Sequence, residues 1–224
     1  MPTSEYLDVL AGFGCLTHRE VHSRLVSMGW NVCGIGDWAT VLRSPDGRSA
    51  ARICPFDPSF PVFVELCRTI PDNPYLPRID LDLPLEGGGQ ATLMEFCMPA
   101  SADIITRVRR SWDSGDDDAW QRLRHEAEKL NSHAAATMRW WDGFDLNDGN
   151  IMVSASGRAV LVDLYCVDGH AMFHALEHDP VALEREIPAS KRRYMADIGH
   201  IGRSCGPDEI AAIHAAVAAA NRLG

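Results

Sequence analysis

Residues 41–53 carry the tightest constraint on the fold. Val41-Leu42-Arg43 and Ala50-Ala51-Arg52-Ile53 flank Ser44-Pro45-Asp46-Gly47. Proline presets one turn dihedral, serine and aspartate bond back to nearby main chain, and glycine takes the left-handed position. The four residues predict a tight turn, and their flanks a β-hairpin. The surrounding pattern agrees, because residues 30–54 read as strands. Upstream, Thr17-His18-Arg19-Glu20 is a capping box that starts a helix running to about Met28. Downstream, Pro58 and Pro61 precede a short apolar helix over about 61–69. Residues 76–85 and 91–97 read as two more strands, separated by Gly87-Gly88-Gly89. The first half is therefore expected to be a small, mainly antiparallel sheet with one helix.

After Pro99 the pattern changes to helical. Residues 102–110 and 117–139 predict helices, the second opening with Asp116-Asp117-Asp118, whose charges suit a helix N-terminus. Two short strands follow at 151–153 and 159–163, joined by Ser154-Ala155-Ser156-Gly157. Helical pattern fills about 170–178, 190–202 and 207–222. The fold class is α+β. The expected division is an N-terminal helical extension over 1–29, a β-rich region over 30–98 and a mainly helical region over 99–224.

Charge and cysteine usage exclude several functions. With 21 basic and 31 acidic residues the net charge is -10, which argues against nucleic-acid or membrane-surface partners. The longest alanine-rich stretch, 211–220, is broken by His214 and is too short for a membrane span. Met1-Pro2-Thr3-Ser4-Glu5 lacks the basic start and apolar stretch of a signal peptide. Seven cysteines, with no Cys-x-x-Cys, read as reduced thiols in a cytoplasmic protein. Only Lys129 and Lys191 among the basic residues are lysines, which reads as compositional drift.

Three segments can carry chemistry. Gly34-Ile35-Gly36-Asp37-Trp38-Ala39-Thr40-Val41 puts two glycines at the bend into the hairpin. Glycine lets main-chain N–H groups approach a phosphate, although an ordinary turn uses the same residues. Arg52, on the third strand, can pair with phosphates and be steadied by a carboxylate such as Glu65 on the next helix. Asp145 and Asn150 stand five apart after the long helix, and Asp163 follows a two-strand hairpin. Phosphoryl transfer needs a carboxylate to orient and deprotonate the acceptor hydroxyl, plus oxygen ligands for Mg²⁺. Aspartate, asparagine and aspartate in this order supply both.

Together these residues resemble the protein kinases and their aminoglycoside-phosphotransferase relatives over about 30–165. Gly34, Gly36, Trp38, Ala39 and Val41 are similar to the family's glycine-rich loop, and Ala50 and Arg52 to its nucleotide-lysine strand. Glu65 falls at the helix glutamate, and Leu93-Met94-Glu95-Phe96-Cys97 resembles the last strand and hinge. Asp145 matches the catalytic aspartate, and Asn150 and Asp163 the metal ligands. Phe144 to Ile151 also resembles the short kinases of bacteria and phages. The resemblance implies a two-lobed fold with a small antiparallel β N-lobe and a short, mainly α C-lobe. It implies ATP near residues 95–97 between the lobes, Mg²⁺ as cofactor, and a reduced-size Ser/Thr protein kinase. Glu95 and Cys97 would then read the adenine edge, and Trp38 would cover the phosphates.

The departures are specific. Arginine stands at the lysine position, and its fork cannot simply replace an ammonium. Asn147 occupies a position where Ser/Thr kinases usually carry lysine. Gly143-Phe144 replaces His-Arg, Leu164-Tyr165 replaces Phe-Gly, and no Ala-Pro-Glu segment follows. Two other functions stay open: a pseudokinase that binds a partner, and a phosphotransferase for small, cationic acceptors. His174-Ala175-Leu176-Glu177-His178, with His170 one turn earlier, also has the inverted zinc-peptidase spacing but no evident third ligand. Trp140-Trp141 reads as packing at a helix end, and the acidic run 113–118 as a solvated loop and helix start.

Overall fold

The computed structural model describes residues 10–115 and 117–222. Residues 1–9 of the expected N-terminal extension, Asp116 of the acidic run and the last two residues lie outside the described residues. The chain is a mixed α+β fold that divides into two compact units. One runs through Asp57 and takes in Asp80–Leu93 and the chain from Asp168 on; the other comprises Pro58–Ile79 and Met94–Val167.

The first unit is built on a five-stranded antiparallel sheet. Its strands are β1 (Asn31–Ile35), β2 (Thr40–Arg43), β3 (Ser49–Cys54), β4 (Ile79–Pro84) and β5 (Gln90–Glu95), in the order β1-β2-β3-β5-β4. Helix α1 (His18–Ser27) begins at the expected capping box, where Thr17 Oγ1 accepts from Glu20 N at 3.3 Å and Glu20 Oε2 from Thr17 N at 2.8 Å. The predicted hairpin forms, with Arg43 opposite Ala50. Asp46 closes its turn by accepting from Ser44 Oγ at 2.6 Å and Arg48 N at 3.1 Å, and Gly47 takes φ 73°. These bonds, Ser44's first, hold the Asp46 carboxyl below its ordinary range. Leu25, Trp30, Leu42, Ile53 and Leu93 bury together in the core of this unit.

The C-terminal segment belongs to the same unit, so the helices expected in one region over 99–224 are shared between the two units. It forms α5 (Gly169–His178), α6 (Pro180–Glu186), α7 (Ala189–Arg192), α8 (Gly199–Ser204) and α9 (Pro207–Ala220). The helix expected over 190–202 is broken, because tertiary partners outbid its local bonds. Arg192 is fully buried; it donates to Ile187 O, donates to Ala220 O at 2.8 Å and pairs with Glu184. Arg193 N then bonds Gly87 O at 3.1 Å, a carbonyl from outside the helix, although Arg193 keeps helical dihedrals. Helix α5 ends at His178, and Pro180 opens α6, with Asp179 between them accepting from Ala182 N at 3.1 Å.

The second unit carries α2 (Phe60–Thr69), α3 (Ala102–Ser114) and α4 (Asp118–Thr137). It also holds a three-stranded sheet and a two-stranded ribbon. The sheet is β6 (Cys97–Pro99), β8 (Ile151–Ser154) and β9 (Ala159–Leu161); the ribbon pairs β7 (Trp141–Phe144) with β10 (Tyr165–Val167). Asp117 caps α4 by accepting from Trp120 N at 2.8 Å. Aromatic rings join helices and ribbon: Trp112 meets Phe144 edge-on at 5.1 Å, and Tyr165 Oη donates to Ala127 O at 3.0 Å. Strands β6, β7 and β10 were not expected, since three or four residues are too few to show alternation. Among the described residues no helix is long and apolar enough to cross a membrane.

Candidate active site

The β7–β10 ribbon brings the sequence-distant residues together. Phe144 lies opposite Tyr165, so Asp145, just after β7, and Asp163, just before β10, leave the ribbon at one end. Asp145 N donates to Leu164 O at 2.8 Å, and Val162 N to Asn150 O at 2.9 Å. These two bonds stitch the loop carrying Asp145 and Asn150 to the residues flanking Asp163. Trp141 anchors the far end of the ribbon, with Nε1 donating to Asn131 Oδ1 at 2.7 Å. Packing is therefore the role of this tryptophan.

The loop itself is a closed hydrogen-bond circuit. Asn150 Nδ2 donates to the Asp145 main-chain oxygen at 3.0 Å and to Asp145 Oδ2 at 3.1 Å. Asn147 Nδ2 donates to the same Oδ2 at 2.8 Å, Asn147 N donates to Asp145 Oδ1 at 3.3 Å, and Asn147 Oδ1 accepts from Asn150 N at 3.1 Å. Asn147 thus orients the aspartate, where the sequence showed only a missing lysine. From outside the loop, Arg109 on α3 donates to Leu146 O through Nε at 3.2 Å and Nη2 at 2.8 Å, and pairs with Asp148 at 2.7 Å. Sequence reasoning missed Arg109, which shares α3 with Arg107 and Arg110 and has no motif to mark it.

The donor set suits a hard cation. With Nδ2 committed to Asp145, the Asn150 amide keeps its Oδ1 without a protein hydrogen bond among the described residues. Asp163 Oδ1 accepts from Leu164 N at 2.9 Å, which orients that carboxylate. Two carboxylates and an amide oxygen are the ligand types Mg²⁺ takes. The site's negative potential registers on a neighbour: burial first, then Asp145, Asp142 and Asp163, push the Cys166 thiol up to about 11.

The nucleotide candidates fall in both units. Gly34 pairs with Val41 after a bulge, and Gly36 N donates to Ala39 O at 2.8 Å. Neither glycine has positive φ, so what they contribute is main chain free of side chains. Trp38 packs against Phe56 at 6.2 Å between ring centres and against Gly169. Ala39 and Ala50 are buried and Val41 is half-buried. Arg52 is buried and donates to Asp57 Oδ2 at 2.5 Å, a carboxylate the sequence reading passed over. Glu65 lies exposed on α2. Glu95 is a structural tie: Oε1 accepts from Arg78 N at 3.0 Å and from Arg158 Nη2 at 2.7 Å. Cys97 is buried in β6 opposite Ser154, and burial, then Glu95, pushes its thiol up to about 12.

No family model matches the sequence, and no curated protein matches it at a significant level. The chain is similar to a solved aminoglycoside phosphotransferase, APH(3'')-Id of Streptomyces rimosus. The two are 14% identical, with 92% of this chain and 99% of that one covered and a TM-score of 0.35.

His170, His174 and His178 lie exposed along α5, the last two rings meeting edge to face at 4.2 Å. Among the described residues no group of three or more His, Cys, Asp or Glu side chains is arranged to hold a metal.

Proposed function

We propose that the chain is an ATP- and Mg²⁺-dependent phosphotransferase acting on a hydroxyl, with a protein serine or threonine as acceptor. The observation that carries this reading is the Asp145–Asn147–Asn150 circuit held beside Asp163 at one end of the β7–β10 ribbon. Asp145 orients the acceptor hydroxyl and takes its proton at the carboxylate. Asn150 Oδ1 and the Asp163 carboxylate are the Mg²⁺ ligands. ATP supplies the phosphoryl group, and bound Mg²⁺ offsets the charge on its phosphates. Arg109 and Asn147 keep the loop in register for proton removal. Arg52 and the main chain over 34–41 are the residues assigned to the nucleotide's phosphates, and the main chain at Glu95 and Cys97 is assigned to its base.

A second reading, a nucleotide- or partner-binding protein without turnover, is favoured by one observation. Arg52 stands in place of lysine and is engaged by buried Asp57. A small cationic acceptor is the third reading, favoured by the net charge of -10. Calorimetric titration with ATP, with and without Mg²⁺, beside Asp163→Asn decides the first point. Mg²⁺-dependent binding that the variant loses supports the reading; no binding under any condition overturns it. Transfer of labelled γ-phosphate to protein, to small cationic alcohols or to neither then separates the three functions.

A further inference from the structure

Three successive carbonyls of the glycine loop face α8. Arg203 Nη1 donates to Ile35 O at 3.1 Å and to Gly36 O at 2.9 Å, and the His200 N–H donates to Asp37 O at 2.8 Å. Arg203 Nη2 also meets Asp37 Oδ1 at 2.5 Å, with His200 Nδ1 at 3.7 Å from the same oxygen. The approach is close enough to require glycine on the helix: a Cβ on Gly199 would lie 2.5 Å from Gly36 O.

A trans peptide points its N–H away from its C=O. With the Gly36 and Asp37 carbonyls turned to α8, the N–H groups of Asp37 and Trp38 are turned to the opposite side. Neither has a protein partner among the described residues. The Gly36 N–H, set the same way by the Ile35 carbonyl, is taken up by Ala39 O at 2.8 Å. Two adjacent, unpartnered amides are the donor pair an anion uses. Arg203 meanwhile neutralises the Asp37 carboxylate, which would otherwise repel that anion.

We infer that Arg203 is a positioning residue for nucleotide binding: from α8 it holds the glycine loop with the Asp37 and Trp38 amides presented to polyphosphate. The inference rests on the phosphotransferase reading. It makes the C-terminal segment a working part of the phosphate site, although nothing in its sequence resembles a nucleotide motif.

The test is titration of the full chain, Arg203→Ala and Arg203→Lys with ATP and, separately, with adenosine. Hydrogen exchange is followed over residues 34–41 without ligand. Arg203→Ala should weaken ATP by about tenfold or more, the scale of lost charge-assisted hydrogen bonds, leave adenosine unchanged, and speed exchange in the loop alone. Arg203→Lys should restore part of the ATP affinity, since an ammonium meets Asp37 but cannot span both carbonyls as the fork does. Equal weakening of ATP and adenosine, or ATP affinity unchanged in both variants, overturns the inference while the phosphotransferase reading stands. Failure of the unaltered protein to bind ATP overturns that reading and the inference with it.

Discussion

The Nδ2 of Asn150 donates to both the main-chain oxygen and the carboxylate of Asp145, at 3.0 and 3.1 Å. One side chain therefore serves the proposed cation through Oδ1 and the proposed base through Nδ2. The two variants should differ accordingly. Asp145→Asn should lower turnover by about 10²–10⁴-fold, the scale of general-base removal, with ATP binding retained. Asn150→Ala should lower turnover by a similar factor and also weaken the Mg²⁺ dependence of ATP binding. Steady-state rates beside ATP titrations check both; unchanged turnover in Asp145→Asn would remove it from the role of base.

Arg109 holds the loop between Asp145 and Asn150 from α3 but meets none of the atoms proposed for catalysis. Its side chain is 47% exposed and its partner Asp148 70%, so the ion pair adds little to stability. Its value lies in geometry. Arg109→Ala should reduce kcat by roughly tenfold, the scale of small misplacements of a catalytic group, with the melting temperature almost unchanged. A large fall in melting temperature with kcat preserved would reverse the assignment.

Gly88 and Gly157 separate steric approach from backbone strain. Both have positive φ, 92° and 83°. A Cβ on Gly88 would lie 2.1 Å from the Lys191 carbonyl oxygen, whereas one on Gly157 meets nothing within 4 Å. Gly157→Ala should cost about 1 kcal/mol for the left-handed conformation. Gly88→Ala should cost clearly more, because α7 must also move. Denaturant unfolding of the two variants measures the difference, and equal costs would show that α7 does not constrain the turn.

Asp197 predicts an acid-side loss of stability. Burial raises its pKa, but the hydrogen bond from His18 and the charges of Arg19, His18 and His214 outweigh burial and hold it below the ordinary value. A depressed folded-state pKa means stability that is complete above about pH 4, the unfolded value, and lost as pH falls through the lower folded value. Asp197→Asn should therefore melt earlier than the parent near neutral pH and converge with it in acid. Melting curves between about pH 7 and pH 2 test this; parallel curves would exclude Asp197 as a contributor.

Local chemistry made much of the fold legible. The capping box at Thr17, the turn at Ser44 to Gly47 and the long helix opened by Asp117 each rely on bonds within four residues, so their sequences state them. Asp145, Asn150 and Asp163 were legible as a set because order and spacing survive without a structure. Their circuit was not, since Asn147 looks like a lost lysine until its amide is seen on the Asp145 carboxylate. Arg109, Asp57 and Arg203 carried no signal: each acts on a residue whose position its own neighbours do not encode.

The broken helix near residues 190–202 shows the same division. Its sequence favours a helix, yet Arg192 buries its guanidinium against Ala220 O and Glu184 while Arg193 bonds Gly87 O. The sequence by itself determined the longer strands and helices, the turn at Ser44 to Gly47 and the candidate residues for phosphoryl chemistry, because these depend on short-range propensity and side-chain type. Tertiary structure alone decided that the chain from Asp168 on joins the unit of the five-stranded sheet and that α8 grips the glycine loop. Those outcomes depend on polar groups that find partners more than a hundred residues away, and no local pattern records such a choice.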